Sequence, residues 1–190
     1  KTNIKVSEFA LGCWPFAGGS VWGTQDKSDS ISTVHAALDN GINFFDTAEG
    51  YNDDYHSESI LGEALVNRRN RSVIATKISP PNLLPQKIEE ACNNSLKRLS
   101  TDYIDLYQIH WPNHDLNMED SINELNKLVD KGKIRSLGVC NFGVDDLNEI
   151  LKLGVVSTDQ LPYNLLWRHI EEEILPEEKI KNLEPKKSTK

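Results

Sequence analysis

The sequence is poor in cysteine and in positive charge, and it contains no long apolar run. Its three cysteines, Cys13, Cys92 and Cys140, form no CxxC pair, which is typical of a protein in a reducing cytosol. Lysine and arginine number 21 against 29 acids, so the chain lacks the basic face that nucleic-acid binding requires. No apolar run approaches the ~18 residues of a membrane-spanning helix. We therefore expect a cytoplasmic chain with neither nucleic acid nor membrane as a partner.

Strand and helix patterns alternate along most of the chain. Apolar residues make up 38% of the 190 residues, enough for one packed domain. Short β-branched and aromatic runs predict six strands, at residues 9–11, 42–46, 72–77, 104–109, 134–139 and 157–161. Apolar residues at helical spacing predict five helices between them, beginning near Ile31, Ile60, Ile88, Ile122 and Leu147. The second to fifth strands are centred about 31 residues apart, the size of one strand–helix unit.

Strict alternation of strands and helices predicts parallel strands, in either a doubly wound sheet or a closed barrel. A doubly wound dinucleotide fold needs a GxGxxG turn after its first strand. Gly18, Gly19 and Gly23 follow the first predicted strand, but in a longer loop and without that spacing. The polar residues at the strand ends favour the barrel.

Five predicted strands end in polar residues that could carry chemistry. These residues are Asp46 with Tyr51 shortly after it, Lys77, His110, Asn141 and Gln160. Each alone has an ordinary structural explanation, such as a turn acid, a surface aromatic, a solvated lysine or a loop-bonding amide. A barrel, however, brings all these strand ends to one rim, where such enzymes place their active sites. His110 and His114 lack the cysteine or carboxylate partners of a zinc site, so we expect no metal.

Four sequence segments resemble the aldo-keto reductase family. They are FFDTAEGY at 44–51, ATK at 75–77, DYIDLYQIH at 102–110 and GVCNF at 138–142, and the resemblance covers residues 5–176. It implies an α/β fold, the parallel (β/α)₈ TIM barrel, with its C-terminal part incomplete in this chain. It also implies reduction of a small-molecule aldehyde or ketone to an alcohol with NADPH (NADP⁺), whose nicotinamide supplies the hydride.

The resemblance assigns roles to individual residues. The family's catalytic tetrad falls on four residues of this sequence. Tyr51 is implied to donate the proton, and Lys77 to lower the pKa of that phenol with its ammonium. Asp46 is implied to be the charge partner of Lys77, and His110 to orient the carbonyl group. Asn141 and Gln160 are implied to hold the nicotinamide carboxamide. Cys13, Trp14, Asp46 and Cys140 are implied to line the same cofactor site, although the family often has a hydroxyl residue at both cysteine positions.

The sequence departs from the family at its C-terminal end, where strands seven and eight are not found. We expect a barrel of six strands over residues 1–176 and a short helix or frayed tail over 177–190. An open barrel edge predicts self-association or easy unfolding, and the missing phosphate-binding loops predict weak NADPH binding. Three interpretations stay open: an incomplete or derived form of a working reductase, a truncated non-catalytic binding relative, and a regulatory subunit resembling channel β subunits.

Overall fold

The computed structural model describes residues 2–54, 56–154 and 156–176. Six strands form one sheet in the order β1 to β6, and every neighbouring pair is parallel. The strands are β1 (Ala10–Gly12), β2 (Phe44–Asp46), β3 (Val73–Ile78), β4 (Leu106–Ile109), β5 (Leu137–Cys140) and β6 (Asp159–Gln160). All six predicted strands are present. The predicted tail at 177–190 lies outside the described residues.

Helices connect successive strands, as the alternating patterns predict. They are α1 (Gly19–Trp22), α2 (Lys27–Asp39), α3 (Ser57–Ala64), α4 (Pro85–Arg98), α5 (Met118–Asp130) and α6 (Val144–Leu153). Asp26 caps α2 by accepting hydrogen bonds from the backbone N–H groups of Ser28 and Asp29, and Pro85 opens α4 where a missing N–H costs nothing. The single-turn α1 was not predicted, because one turn is too short for an apolar period.

The sequential strand order decides between the two predicted architectures. A doubly wound sheet reverses its strand order at a switch point, whereas here each strand pairs with the next one along the chain. Sequential parallel strands with helical connections are the wall of a (β/α)₈ barrel, and the described residues supply six of its strands. The predicted fold class is therefore confirmed, with β1 and β6 as the two edge strands.

The core lies between the sheet and the helices. Phe45, Ile74 and Tyr107 from the strands pack in one cluster with Leu61 and Ile88 from the helices, and all five are completely buried. Among the described residues, no helix combines the length and the apolar character that crossing a bilayer requires.

The fourth and fifth strands begin later than predicted. Ile104 and Ile134 form only an isolated parallel bridge, and the ladder starts at Leu106 and Leu137. Asp105 lies between the bridge and the ladder, and its side chain accepts hydrogen bonds from Arg69 and Arg135. The apolar pattern alone does not reveal this interruption.

Candidate active site

The carboxyl ends of the strands bring Asp46, Lys77 and His110 together with Tyr51. The ammonium nitrogen Nζ of Lys77 lies 2.8 Å from both carboxylate oxygens of Asp46 and 2.9 Å from the carbonyl oxygen of Thr47. The same nitrogen lies 3.4 Å from the phenolic oxygen Oη of Tyr51. Four of the residues singled out in the sequence thus form one contiguous cluster at one rim.

Burial and charge act against each other at Lys77. Its side chain is only 1% exposed, and burial disfavours the charged form of an amine. Burial is the largest single effect, but the Asp46 carboxylate together with Tyr51 and Cys140 outweighs it, so the pKa of Lys77 is raised from its ordinary value. The lysine therefore keeps its positive charge at neutral pH.

At Tyr51, in contrast, burial decides the direction of the pKa shift. It raises the pKa of the phenol above its ordinary value, and the neighbouring Lys77 ammonium lowers it by less. The Lys77 ammonium thus has the lowering effect expected from the sequence, but desolvation of the phenolate exceeds it, so the net direction is upward. Tyr51 consequently holds its proton across the neutral range.

Aromatic rings surround the Tyr51 phenol. Trp14 stacks on it with ring centroids 5.3 Å apart, and Trp22 meets Trp14 edge-on at 5.5 Å. His110 meets the Tyr51 ring edge-on at 5.6 Å. Burial and the Lys77 ammonium lower the pKa of His110 to about 4, so its imidazole is neutral at pH 7 and can donate one N–H.

The two cysteines implied at the cofactor site are both buried. Cys13 is fully enclosed, and its backbone N–H donates to the carbonyl oxygen of Asp46 at 2.8 Å. Burial raises the pKa of the Cys13 thiol strongly and that of Cys140 to about 12. Both thiols are therefore neutral, and a role for either in cofactor binding stays a prediction.

Asn141 and Gln160 lie side by side at the ends of β5 and β6. The backbone N–H of Asn141 donates to the carbonyl oxygen of Gln160 at 3.0 Å, and its side-chain Nδ2 donates to the carbonyl oxygen of His110 at 3.0 Å. The side chain of Gln108 in β4 fixes the side chain of Gln160, because Nε2 of Gln108 donates to Oε1 of Gln160 at 2.8 Å. Sequence reasoning gave Gln108 no role, although its inward position in β4 could have indicated one.

Metal binding has no evident place in this arrangement. Across residues 2–54, 56–154 and 156–176, no group of three or more His, Cys, Asp or Glu side chains could hold a metal ion. His114 instead lies 2.7 Å from Oδ1 of Asp146.

Comparison with known proteins assigns this arrangement to a family. The Aldo/keto reductase family model matches residues 8–183. The chain is 41% identical over 185 residues to the aldo-keto reductase YhdN of Bacillus subtilis, covering 92% of this chain and 55% of that protein. It is 36% identical over 198 residues to the NADH-specific methylglyoxal reductase of Escherichia coli, covering 92% of this chain and 60% of that protein.

A solved structure agrees in fold. The aldo/keto reductase from Klebsiella pneumoniae, in complex with NADP and acetate, matches with a TM-score of 0.84 and 31% identity over 93% of this chain and 61% of that one. The chain thus spans roughly three-fifths of the length of the proteins it resembles.

Proposed function

Because the chain belongs to the aldo/keto reductase family, we propose that it carries the catalytic side chains for the reversible, NADPH-dependent reduction of an aldehyde or ketone to an alcohol. The observation that supports this most directly is the contact of 3.4 Å between Oη of Tyr51 and Nζ of Lys77, an ammonium itself paired with Asp46. A protonated phenol beside a fixed positive charge is suited to donating a proton to a carbonyl oxygen.

Tyr51 is the proposed general acid. Its raised pKa keeps the proton on Oη at neutral pH, and the proton passes to the carbonyl oxygen as negative charge develops there. The phenolate left behind lies beside the Lys77 ammonium, which stabilises it. Asp46 keeps that ammonium in place and charged through two contacts of 2.8 Å.

His110 is the proposed orienting group. Its neutral imidazole lies edge-on to the Tyr51 ring and can direct an N–H toward the same carbonyl oxygen. A preorganised donor at that position stabilises the developing oxyanion and holds the carbonyl carbon in a fixed direction.

The residues at the ends of β5 and β6 fit a nicotinamide carboxamide. The hydrogen bonds of these two amides use Nδ2 of Asn141 and Oε1 of Gln160. Within the described part of the chain, the other atom of each amide, Oδ1 of Asn141 and Nε2 of Gln160, makes no hydrogen bond. They offer one acceptor and one donor, which match the NH₂ and C=O groups of a primary carboxamide. NADPH, when bound, supplies the hydride, and Trp14, Cys13 and Cys140 complete the proposed cofactor contacts.

The test is Tyr51→Phe, with Tyr163→Phe as its control. Tyr163 lies on an exposed loop, where its hydroxyl contacts Glu171, so both variants remove one phenolic oxygen and only one removes the proposed acid. At saturating NADPH we expect turnover of a small aldehyde to fall by about 10²–10⁴-fold in Tyr51→Phe. Calorimetry should show unchanged NADPH affinity in both variants.

Two outcomes would overturn the proposal. Wild-type turnover by Tyr51→Phe would exclude Tyr51 as the acid. Absence of turnover in the unaltered chain at saturating NADPH would favour the non-catalytic alternatives, a binding or regulatory relative.

A further inference from the structure

A polar network lies directly behind the proposed catalytic residues, at the start of α3. The hydroxyl of Ser57, the first residue of α3, donates to the carbonyl oxygen of Cys13 at 2.6 Å. Because that hydroxyl has a single proton, the hydroxyl of Thr47 at 2.9 Å must be the donor in their shared hydrogen bond. The backbone N–H of Ser57 donates to the carbonyl oxygen of Tyr51 at 2.9 Å. One residue thus contacts three segments of the site.

Glu58 extends the network to the third strand. Its side chain is completely buried, and Oε1 accepts a hydrogen bond of 2.6 Å from the hydroxyl of Thr76. Its other oxygen, Oε2, accepts from Nε of Arg98 at 2.6 Å. A buried carboxylate held on both oxygens is a rigid anchor, since any displacement would leave a charge without its partners.

The two threonines are the chain neighbours of the charged pair. Thr47 follows Asp46, and Thr76 precedes Lys77. Successive residues of a strand point to opposite faces, so the bond to Thr76 on the helix side of β3 fixes where Lys77 points on the barrel side. Thr47 directly follows β2, and its backbone N–H donates to the carbonyl oxygen of Ala75 in β3, so holding its hydroxyl also restrains Asp46. The Thr47 carbonyl also accepts directly from Nζ of Lys77 at 2.9 Å.

Close packing of α3 against the end of α4 allows this reach. Gly62 lies one helical turn after Glu58, and a Cβ at position 62 would stand 2.6 Å from the carbonyl carbon of Leu99 and 2.7 Å from the carbonyl oxygen of Arg98. Only a glycine lets the two helices approach this closely, and the approach brings Arg98 to Glu58.

We propose that Ser57 and Glu58 are positioning residues, which set the distance between the Lys77 ammonium and the Tyr51 phenol by holding Thr47, Thr76 and the Tyr51 backbone. The roles of Lys77 and Tyr51 rest on the proposed function, whereas the distance itself can be measured without turnover. A role in helix stability alone would not change the electrostatic environment of the phenol.

The chain offers a matched control for this idea. Ser121 in the first turn of α5 is as buried as Ser57, and its hydroxyl donates to the carbonyl oxygen of Leu83 at 2.7 Å. That bond has the same donor, the same type of acceptor and the same burial, but it touches neither Asp46 nor Lys77. Ser57→Ala and Ser121→Ala therefore differ mainly in what the lost bond was holding.

The primary experiment is a ¹⁹F NMR titration of the full chain with its five tyrosines replaced by difluorotyrosine, whose phenol titrates at lower pH than that of tyrosine. Tyr51→Phe identifies the resonance. The groups that face this phenol are Lys77, Asp46, His110 and Cys140, and all four are kept in every variant below.

We expect Thr76→Val and Ser57→Ala to raise the pKa of the Tyr51 phenol by about 0.5–1 unit, because a looser ammonium stabilises the phenolate less. Thr76→Val keeps the side-chain size and the Glu58–Arg98 pair. Thr76→Ser restores the hydroxyl and should restore the wild-type titration, and Ser121→Ala should leave it unchanged. Equal titration in all variants, or an equal shift in Ser121→Ala, would overturn the proposal.

Turnover gives a second and separable measurement. At saturating NADPH we expect kcat to fall by about 10-fold in Thr76→Val with KM for the carbonyl nearly constant, since catalytic alignment is lost and substrate contacts are kept. If the unaltered chain shows no turnover, the proposed function fails while the titration still decides whether Ser57 and Glu58 set the distance.

Discussion

Two buried ion pairs lie at opposite ends of the parallel strands. Asp105, just before β4, accepts from Nη2 of Arg69 and Nη1 of Arg135, each at 2.7 Å. Lys77, in β3, donates to both oxygens of Asp46 at 2.8 Å. Both charged centres are about 1% exposed, so the difference between them lies in what else each one contacts.

Arg69, the more buried of the two arginines that contact Asp105, is saturated with protein partners. Nε of Arg69 donates to the hydroxyl of Thr101, Nη1 donates to the carbonyl oxygen of Ser72, and Nη2 donates also to the carbonyl oxygen of Tyr103. The guanidinium lies 4.0 Å from the centre of the Tyr103 ring. Arg69 therefore has no donor left for a ligand, and its contacts hold protein segments together.

Lys77, in contrast, also contacts a side chain that can react, the phenol of Tyr51. Its weakest contact, 3.4 Å, is with the phenol of Tyr51, and both Tyr51 and His110 are only partly buried. The same type of buried pair therefore serves stability where all partners are protein atoms, and chemistry where one partner faces outward. In barrels of this class the carboxyl ends of the strands carry function and the amino ends carry stability.

The largest effect should come from Lys77→Met. Removing the ammonium leaves the Tyr51 phenolate without its stabilising charge and leaves Asp46 without its partner. At saturating NADPH we expect turnover to fall by at least about 10²-fold. The control is Lys131→Met, which removes an exposed lysine paired with Glu89 and should keep wild-type turnover. An active Lys77→Met variant would break the division between the two ends.

Asp105→Asn should lower stability and leave turnover unchanged, the opposite of what we expect for Lys77→Met. The variant removes the buried carboxylate that both arginines contact, while the arginines themselves are 18% and 50% exposed. We expect a loss of about 1.5–3 kcal/mol of unfolding free energy, the usual size for hydrogen bonds to a charged group. Turnover per folded molecule should stay at the wild-type value. Urea unfolding is the measurement, and Asp39→Asn, which breaks the exposed pair with Arg71, should cost less than about 1 kcal/mol. A turnover defect without lost stability would contradict the comparison.

Local sequence patterns sufficed to locate the strands and the rim. A strand such as 73–78 is apolar until its end, and Lys77 stands out because a lysine rarely lies in such a run. Since parallel strands share a direction, polar residues at their carboxyl ends must meet at one rim. The proximity of Asp46, Lys77 and His110 follows from that geometry.

Packing determined what the sequence could not predict. The net direction of the Tyr51 pKa depends on how far Trp14 and His110 bury the phenol, and that depends on contacts distant in sequence. Glu58 has the signature of an ordinary first-turn acid of a helix. Its bonds to Thr76 and Arg98, 18 and 40 residues away, exist only once α3 packs on α4.

The smallest expected effect concerns how stability depends on pH, and it compares two histidines whose pKa values are shifted in opposite directions. The pKa of His110 is lowered from 6.5 to about 4 by burial and by Lys77, with Asp46 opposing. Between pH 6.5 and about 4, His110 therefore binds a proton in the unfolded chain but not in the folded chain. The free energy of unfolding should consequently fall as pH drops from about 6.5 toward 4.

The other histidine, His114, should act in the reverse direction. Its hydrogen bond to Asp146 raises its pKa, so its contribution is complete below the unfolded pKa and is lost as pH rises through the folded pKa. Urea unfolding from about pH 4 to pH 8 should show a shallower acid-side decline in His110→Asn and a steeper one in His114→Asn, relative to the unaltered chain. His56, whose pKa is also lowered to about 4 by burial, is present in all three chains and cancels from the differences. An unchanged decline in His110→Asn would mean that the folded chain protonates His110 as readily as the unfolded chain does, and the lowered pKa assigned to this imidazole would be wrong.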